Sequence, residues 1–284
     1  MDSNLPGPEN SLTADLEKLA KRKKRLKRRL IVYGSIIALV WGAYVFQPVE
    51  YDLFRRKLPP KEAVDPDSKK LFSKGTRVMV IVAHPDDSEF YIAGTLLRLR
   101  QSGAEVYQLL HTDGDKAYYF WADNSDLREI RREEQRSASA HYGVKELRFL
   151  GFPDGRLRRN SETLAATKKA IEDWKPDYIL CMDGAYPPRA SHQDHRRSGE
   201  LAEEAARAIN WKGWLMRFSS MAPNFVVNVD KVFDRRIESL AIHKSQFFGE
   251  RLKRIQAHLT DNAIEQASDA GFTYGEAFRA ERLK

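Results

Sequence analysis

Cysteine is almost absent from this chain. A single residue, Cys181, among 284 leaves no intrachain disulfide framework and no Cys-rich zinc site. It lies in the apolar run Tyr178–Met182 and reads as a small core residue. Glycine-rich phosphate loops are missing as well. Neither a GxGxxG nor a P-loop pattern follows the first apolar run of the body, which argues against a dinucleotide or nucleoside triphosphate site. Excess charge is missing from most of the chain. The formal net charge is +8, but residues 1–29 hold nine Lys/Arg against four Asp/Glu, and the remainder holds 39 against 36. A body so nearly balanced lacks the basic stripe that a nucleic-acid surface needs, so no nucleic-acid partner is expected.

What is present begins with an apolar span. Leu30–Phe46 carries no charge over seventeen residues, at the lower limit for crossing a bilayer. Eight basic residues between Lys21 and Arg29 stand directly before it, and Trp41 and Tyr44 near its far end suit a membrane interface. A buried core helix fits poorly behind such a block. A cleaved signal peptide fits poorly too, because the basic region is long and no small-x-small site follows. The sequence therefore predicts one N-terminal transmembrane helix contacting the lipid bilayer. The basic block orients residues 1–29 as a cytoplasmic tail, against the weaker cluster Arg55-Arg56-Lys57. A single-pass protein with its body on the extracytoplasmic side, periplasmic in a bacterium, is the expectation. Residues 47–75, with four prolines, read as a surface linker to a catalytic domain over 76–284.

In that body, apolar runs alternate with helical patterns. Val78–Val82, Val106–Leu110, Leu147–Leu150 and Tyr178–Met182 read as strands, with Phe225–Val229 later. Helical patterns cover 89–101, 127–142, 161–174, 194–209 and 232–247. Such alternation predicts an α/β fold: a Rossmann-like, mostly parallel sheet with helices on both faces. With the strand order 3-2-1-4-5, strands one and four are neighbours at the switch point, where active sites of open parallel sheets lie.

Both of those strands run into chemistry-bearing residues. The first leads into Ala83-His84-Pro85-Asp86-Asp87-Ser88-Glu89, and the fourth leads towards His192-Gln193-Asp194-His195. A catalytic zinc needs three protein ligands and an open position. His84, Asp87 and His195 can supply them; Zn2+ is the default and Fe2+ takes the same donors. Asp86 then remains to accept a proton, His192 to donate to an oxyanion and Asp194 to orient it. Taken singly, an Asp-Asp pair is usually a turn or cap, and a lone His usually packs. Two such clusters, each after a strand, carry far more weight. His111, His141 and His258 have no comparable setting.

At these residues the chain resembles the PIG-L / LmbE-like N-acetylglucosaminyl deacetylase family, over about residues 76–250. The segment 83–89 resembles its AHPDD-(x)-E signature, and Ala93-Gly94-Thr95 the small-residue turn that follows. Thr112-Asp113-Gly114 resembles its T-(D/N)-G, Arg131 and Glu134 its R-x-x-E helix, with Gly143-Val144 at the helix end. Gly151–Gly155 resembles its G-x-x-D segment, His192–His195 its H-P-D-H, and His243–Gln246 its H-x-S-Q. Gln193 stands where the family usually has Pro, and Ala93 where Gly is common.

The resemblance implies a metal on His84, Asp87 and His195, with Asp86 as general base. His192 would stabilise the oxyanion or protonate the amine, and Asp194 would tune His192. Arg131 and Asp154 would contact sugar hydroxyls or a neighbouring group. The implied activity is zinc-dependent removal of the acetyl group from an N-acetylglucosamine-type glycoconjugate. An amidase acting on another N-acyl amine and a non-catalytic, membrane-tethered carbohydrate-binding module stand as alternatives.

Overall fold

A computed structural model describes Lys24 and residues 64–116, 125–186, 192–268 and 270–284. The expected span at 30–46 lies outside these residues, as do the tail apart from Lys24 and the linker up to residue 63. Among the described residues no helix is long and apolar enough to cross a membrane. Residues 64–75 lie along the surface of the body and are tied to it at two points. Leu71 is fully buried, and the Tyr178 hydroxyl donates to the carbonyls of Pro66 (3.0 Å) and Asp67 (3.1 Å).

Among the described residues, seven strands form the sheet: β1 (Arg77–Val82), β2 (Glu105–Thr112), β3 (Glu146–Phe152), β4 (Tyr178–Met182), β5 (Gly213–Phe218), β6 (Phe225–Asn228) and β7 (Gly275–Leu283). Their order is β3-β2-β1-β4-β5-β7-β6. The first five are mutually parallel and match the expected 3-2-1-4-5. β7 then runs antiparallel to both β5 and β6, so the sheet is mixed. The expectation omitted β5 and β7; Phe225–Val229, expected as a later strand, is β6.

Among the described residues, a single helical turn at Ser68–Leu71 precedes six longer helices: α1 (Asp87–Ser102), α2 (Ser125–Tyr142), α3 (Ser161–Trp174), α4 (Gln193–Ala208), α5 (Phe233–Ser239) and α6 (Gly249–Ala267). The single helix expected over 232–247 is instead α5 flanked by two short 3-10 turns. The apolar runs of β1 and β4 reflect burial on both faces, as parallel strands require. Val78, Val80, Val82, Tyr178, Leu180 and Met182 pack on the side that carries α1 and α2. Met79, Ile81, Ile179 and Cys181 pack on the other side, against Ala170 and Ile171 of α3 and Ala202 and Ala205 of α4. Successive residues of one strand thus serve two cores.

Two close approaches fix the helices that carry the site. Gly199 lets α4 settle on the end of β4: an added Cβ there would strike the Met182 carbonyl oxygen and lie 2.8 Å from the Gly184 nitrogen. In α1, Ile92 leaves helical geometry at φ −136° and ψ 23°. The amides of Gly94 and Thr95 then donate to the buried Glu276 carboxylate of β7, at 2.9 and 2.7 Å. Arg236 of α5 balances that carboxylate at 2.7 Å. The first turn of α1, with Asp87 and Glu89, is in this way separated from the rest of the helix and anchored by its own set of bonds.

Candidate active site

Ile81 pairs with Cys181 across β1 and β4, so the carboxyl ends of the two strands lie side by side. The turn leaving β1 folds back on itself. The Asp87 carboxylate accepts from the amides of Ala83 (3.1 Å) and His84 (2.8 Å). Its other oxygen lies 3.1 Å from His195 Nε2, and His84 Nδ1 is 3.5 Å from the first. The three residues expected as metal ligands are thus joined through Asp87. Burial opposes ionisation of this carboxyl, but the charges and hydrogen bonds of His195 and His84 outweigh it and hold its pKa well below the ordinary range.

The rings of His84, His192 and His195 converge, with centroids 5.1 to 5.5 Å apart and one donor nitrogen from each within 4.8 Å of the others. His84 is nearly buried and surrounded by acids: Asp154 at 3.0 Å and Asp194 at 3.6 Å on Nε2, and Asp87 on Nδ1. Burial disfavours the charged ring, yet these carboxylates raise its pKa well above the usual value. The surroundings therefore stabilise positive charge at this point. Imidazole nitrogens with a buried anionic carboxylate form a donor set that suits zinc or ferrous iron.

Asp86 is set apart from this cluster. It caps α1 in the left-handed region, at φ 89°, where a non-glycine residue is strained. Both of its ends are held: its amide donates to Gln135 Oε1 at 3.0 Å, and its carboxylate accepts from Arg131 Nη2 at 2.9 Å. Burial raises its pKa, and the Arg131 charge opposes the rise. Arg131, on α2, also donates to the carbonyls of Gly114 and Pro85, tying together the loops after β1 and β2.

His192 caps α4 with its own ring: the Asp194 amide donates to Nδ1 at 3.3 Å, which leaves the ring proton on Nε2. Burial and the charge of His84 lower its pKa, which favours this neutral form. Asp194 meets His192 through its backbone. Its fully buried carboxylate instead accepts from the amides of Gly155 (2.7 Å) and Leu157 (3.2 Å). Asp154 holds His84 and accepts from the Lys116 amide at 2.9 Å. Arg131 and Asp154, expected at the substrate, thus have Asp86 and His84 as immediate partners, although both also line the pocket.

The pocket has a volume of about 460 Å³. Sequence reasoning missed part of its wall: Tyr91, Lys116, Phe247, Arg251 and Ile255. Arg251 and Ile255 are spaced by four and share one face of α6, and Phe247 lies just before that helix, directly after His243–Gln246. His243 does not line the pocket. It is buried 3.0 Å from Glu89 Oε2, beneath the first turn of α1. Glu134 accepts from the amide and hydroxyl of Ser245, both at 2.7 Å, and fastens that segment to α2.

This chain is 26% identical over 228 residues to diacetylchitobiose deacetylase of Thermococcus kodakarensis, covering 73% of this chain and 84% of that protein. It is 27% identical over 186 residues to a probable N-acetyl-alpha-D-glucosaminyl L-malate deacetylase 2 of Bacillus anthracis, covering 60% of this chain and 81% of the relative. The solved structure of N,N'-diacetylchitobiose deacetylase from Pyrococcus horikoshii shares the fold, with a TM-score of 0.68 at 24% identity over 86% of this chain and 92% of that one. A family model described as GlcNAc-PI de-N-acetylase, PIG-L, matches residues 79–206, from within β1 to near the end of α4. His84, Asp86, Asp87, His192, Asp194 and His195 all fall within the stretch that is similar to this family.

Proposed function

We propose that the chain is a metal-dependent hydrolase that removes the acetyl group from an N-acetylglucosamine-type glycoconjugate, giving acetate and a free amine. The observation that carries this reading is Asp86. It faces the same pocket as the His/Asp cluster, is held there in a strained conformation by Arg131 and Gln135, and stands outside the donor set.

His84, Asp87 and His195 would hold the metal, with zinc the first choice. When bound, such an ion supplies Lewis acidity and acidifies a coordinated water. Asp86 accepts the proton of the water that attacks the acetamido carbon. Arg131 orients Asp86 and opposes the rise that burial gives its pKa. His192, protonated on Nε2, donates to the developing oxyanion. The proton taken by Asp86 passes to the nitrogen as the C–N bond breaks. Asp154 fixes the orientation of His84, as carboxylates do for metal-binding imidazoles. Asp194 acts by bracing the 155–157 segment against α4 and by its charge beside His84 and His192.

The apolar span at 30–46 supports a further reading. The protein is anchored by one helix with residues 1–29 in the cytoplasm, and its catalytic domain acts outside, on a sugar close to the bilayer surface. The test is acetate release by the full chain from a panel of N-acetylglucosamine conjugates, before and after chelation and with zinc restored. Zinc-dependent release supports the reading. A folded, zinc-loaded protein inert towards the whole panel overturns it.

A further inference from the structure

A set of buried polar side chains outside the pocket converges on Glu89. Ser88, Glu89, Gln108, Gln135, Ser139 and His243 are all nearly or fully buried, and none of them lines the pocket. Ser88 Oγ donates to both oxygens of the Glu89 carboxylate, at 3.0 and 3.1 Å, and His243 Nε2 donates to Oε2 at 3.0 Å. Burial opposes charge on the His243 ring, but the hydrogen bond and charge of Glu89 outweigh it and raise its pKa. Ser139 Oγ donates to Gln108 Oε1 at 2.6 Å, and Gln108 Nε2 donates to Ser88 Oγ at 2.6 Å. Two of these acceptors, Glu89 Oε1 at 3.5 Å and Gln108 Oε1 at 3.4 Å, face Gln135 Nε2. They permit one orientation of the Gln135 amide, because a flipped amide would set its oxygen against both. Its Oε1 therefore points at the Asp86 amide, 3.0 Å away. Gln135 and Arg131 are four residues apart on one face of α2. A single helix thus carries the anchor of the Asp86 peptide and that of its carboxylate.

We propose that Gln135 is a positioning residue for the proton transfer at Asp86, and that Glu89, with His243, fixes the direction of its amide. This rests on the deacetylase reading. Asp86 sits at φ 89°, a conformation that a non-glycine residue keeps only where its surroundings enforce it. The bond from its amide to Gln135 is the restraint on the backbone, and Arg131 is the restraint on the carboxylate. Without the first, the peptide relaxes and the carboxylate leaves the place from which it meets the attacking water. A displacement of about 1 Å slows such a step by roughly 100-fold. Asp87, by contrast, is tied to the amides of Ala83 and His84 and to His195, so the donor set does not depend on Gln135. His243 gains a role here as the buried partner that holds Glu89 in place.

The test uses the full, zinc-loaded chain and two readouts: hydrogen exchange of the Asp86 amide followed by NMR, and kcat and KM for acetate release from an N-acetylglucosamine conjugate. Gln135→Met keeps the bulk and removes the acceptor. Gln135→Glu keeps the acceptor but faces Glu89 with a second carboxylate, and Glu89→Gln in the same chain restores a donor between the two positions. Gln135→Met is expected to speed exchange at Asp86 by about 10-fold to 100-fold, the effect of one lost buried hydrogen bond. It lowers kcat by a similar factor, about 10-fold to 100-fold, with KM and zinc content unchanged. Gln135→Glu also lowers kcat, and adding Glu89→Gln recovers part of the loss. Exchange at Asp86 untouched by Gln135→Met overturns the proposal. So does a defect confined to stability or zinc content, with kcat per bound zinc intact. If Gln135→Met does not fold, the Gln135→Glu chains decide: recovery by Glu89→Gln upholds the proposal, and no recovery overturns it. No acetate release from the unsubstituted chain, with exchange at Asp86 still governed by Gln135, overturns the deacetylase reading and leaves the anchor standing.

Discussion

His111 offers a prediction whose size can be worked out. It points from β2 into the core between α3 and α4, fully buried, with Ser198 Oγ 3.0 Å from Nδ1 and Thr167 Oγ1 3.0 Å from Nε2. The Thr167 hydroxyl already donates to the Thr163 carbonyl, so it accepts from His111 Nε2, and Ser198 donates to Nδ1. The ring is therefore neutral and satisfied. Burial drives its pKa down from the ordinary 6.5 to about 4. In the unfolded chain the ring binds its proton near pH 6.5; in the folded chain it resists until about pH 4. The unfolded state holds more protons in that window, so this group's contribution is full above 6.5 and is lost as pH falls. At 1.36 kcal/mol per unit the whole loss is about 3 kcal/mol, of which about 2 kcal/mol falls between pH 7 and pH 5. Urea unfolding of the full chain, followed by tryptophan fluorescence at pH 7, 6 and 5, measures this against His111→Gln. The variant is less stable at pH 7, and its deficit narrows by about 2 kcal/mol at pH 5. Taking the difference cancels the opposite contributions of His84 and His243, whose pKa values are raised. Parallel loss of stability in the two proteins would refute the reasoning.

Further consequences concern packing and the metal. Glu276→Ala leaves Arg236 and two helix amides without their buried partner and should lower unfolding stability by about 3–5 kcal/mol, with Glu276→Gln intermediate, as read by urea denaturation. Gly199→Ala should destabilise by about 1–3 kcal/mol or prevent folding, because its methyl group meets the Met182 carbonyl, and a thermal melt reads this directly. Asp154→Asn removes the charge that orients His84 and should weaken zinc affinity by about 10–100-fold in a chelator competition, without unfolding the protein.

The legible parts of the fold are those where burial and chemistry coincide with local pattern. β1 and β4 are apolar on both faces, and their order at the switch point followed from topology. β7 was illegible because its sequence carries Glu276, Arg279, Glu281 and Arg282 within nine residues. The first three of these charges are matched by distant partners: Arg236, Asp183, and Arg217 with Arg207. Only the tertiary structure shows that a strand so charged can lie inside. The helix expected over 232–247 failed for a related reason. Its apolar spacing is sound, but the chain turns at 240–242 to bring His243 beneath α1.

At the candidate site, residue identity was easier to read than residue partnership. The clusters at 84–87 and 192–195 meet as topology required. That Asp194 holds the 155–157 segment, and that Asp154 holds His84, depends on the path of a loop that no local pattern specifies. Lys116 lies too far along the chain from either cluster to stand out. Arg251 and its neighbours on α6 show only a spacing of four, which is the signature of any packed helix.

The central claim is that Asp86 moves the proton in a metal-assisted hydrolysis and does not hold the metal. Zinc content and acetate release of the full chain, measured together for Asp86→Asn and the unsubstituted protein, test it most directly. The account predicts zinc bound as before, with release reduced by about 100-fold to 10,000-fold. Undiminished release from the zinc-loaded variant would contradict it, and so would loss of the zinc itself.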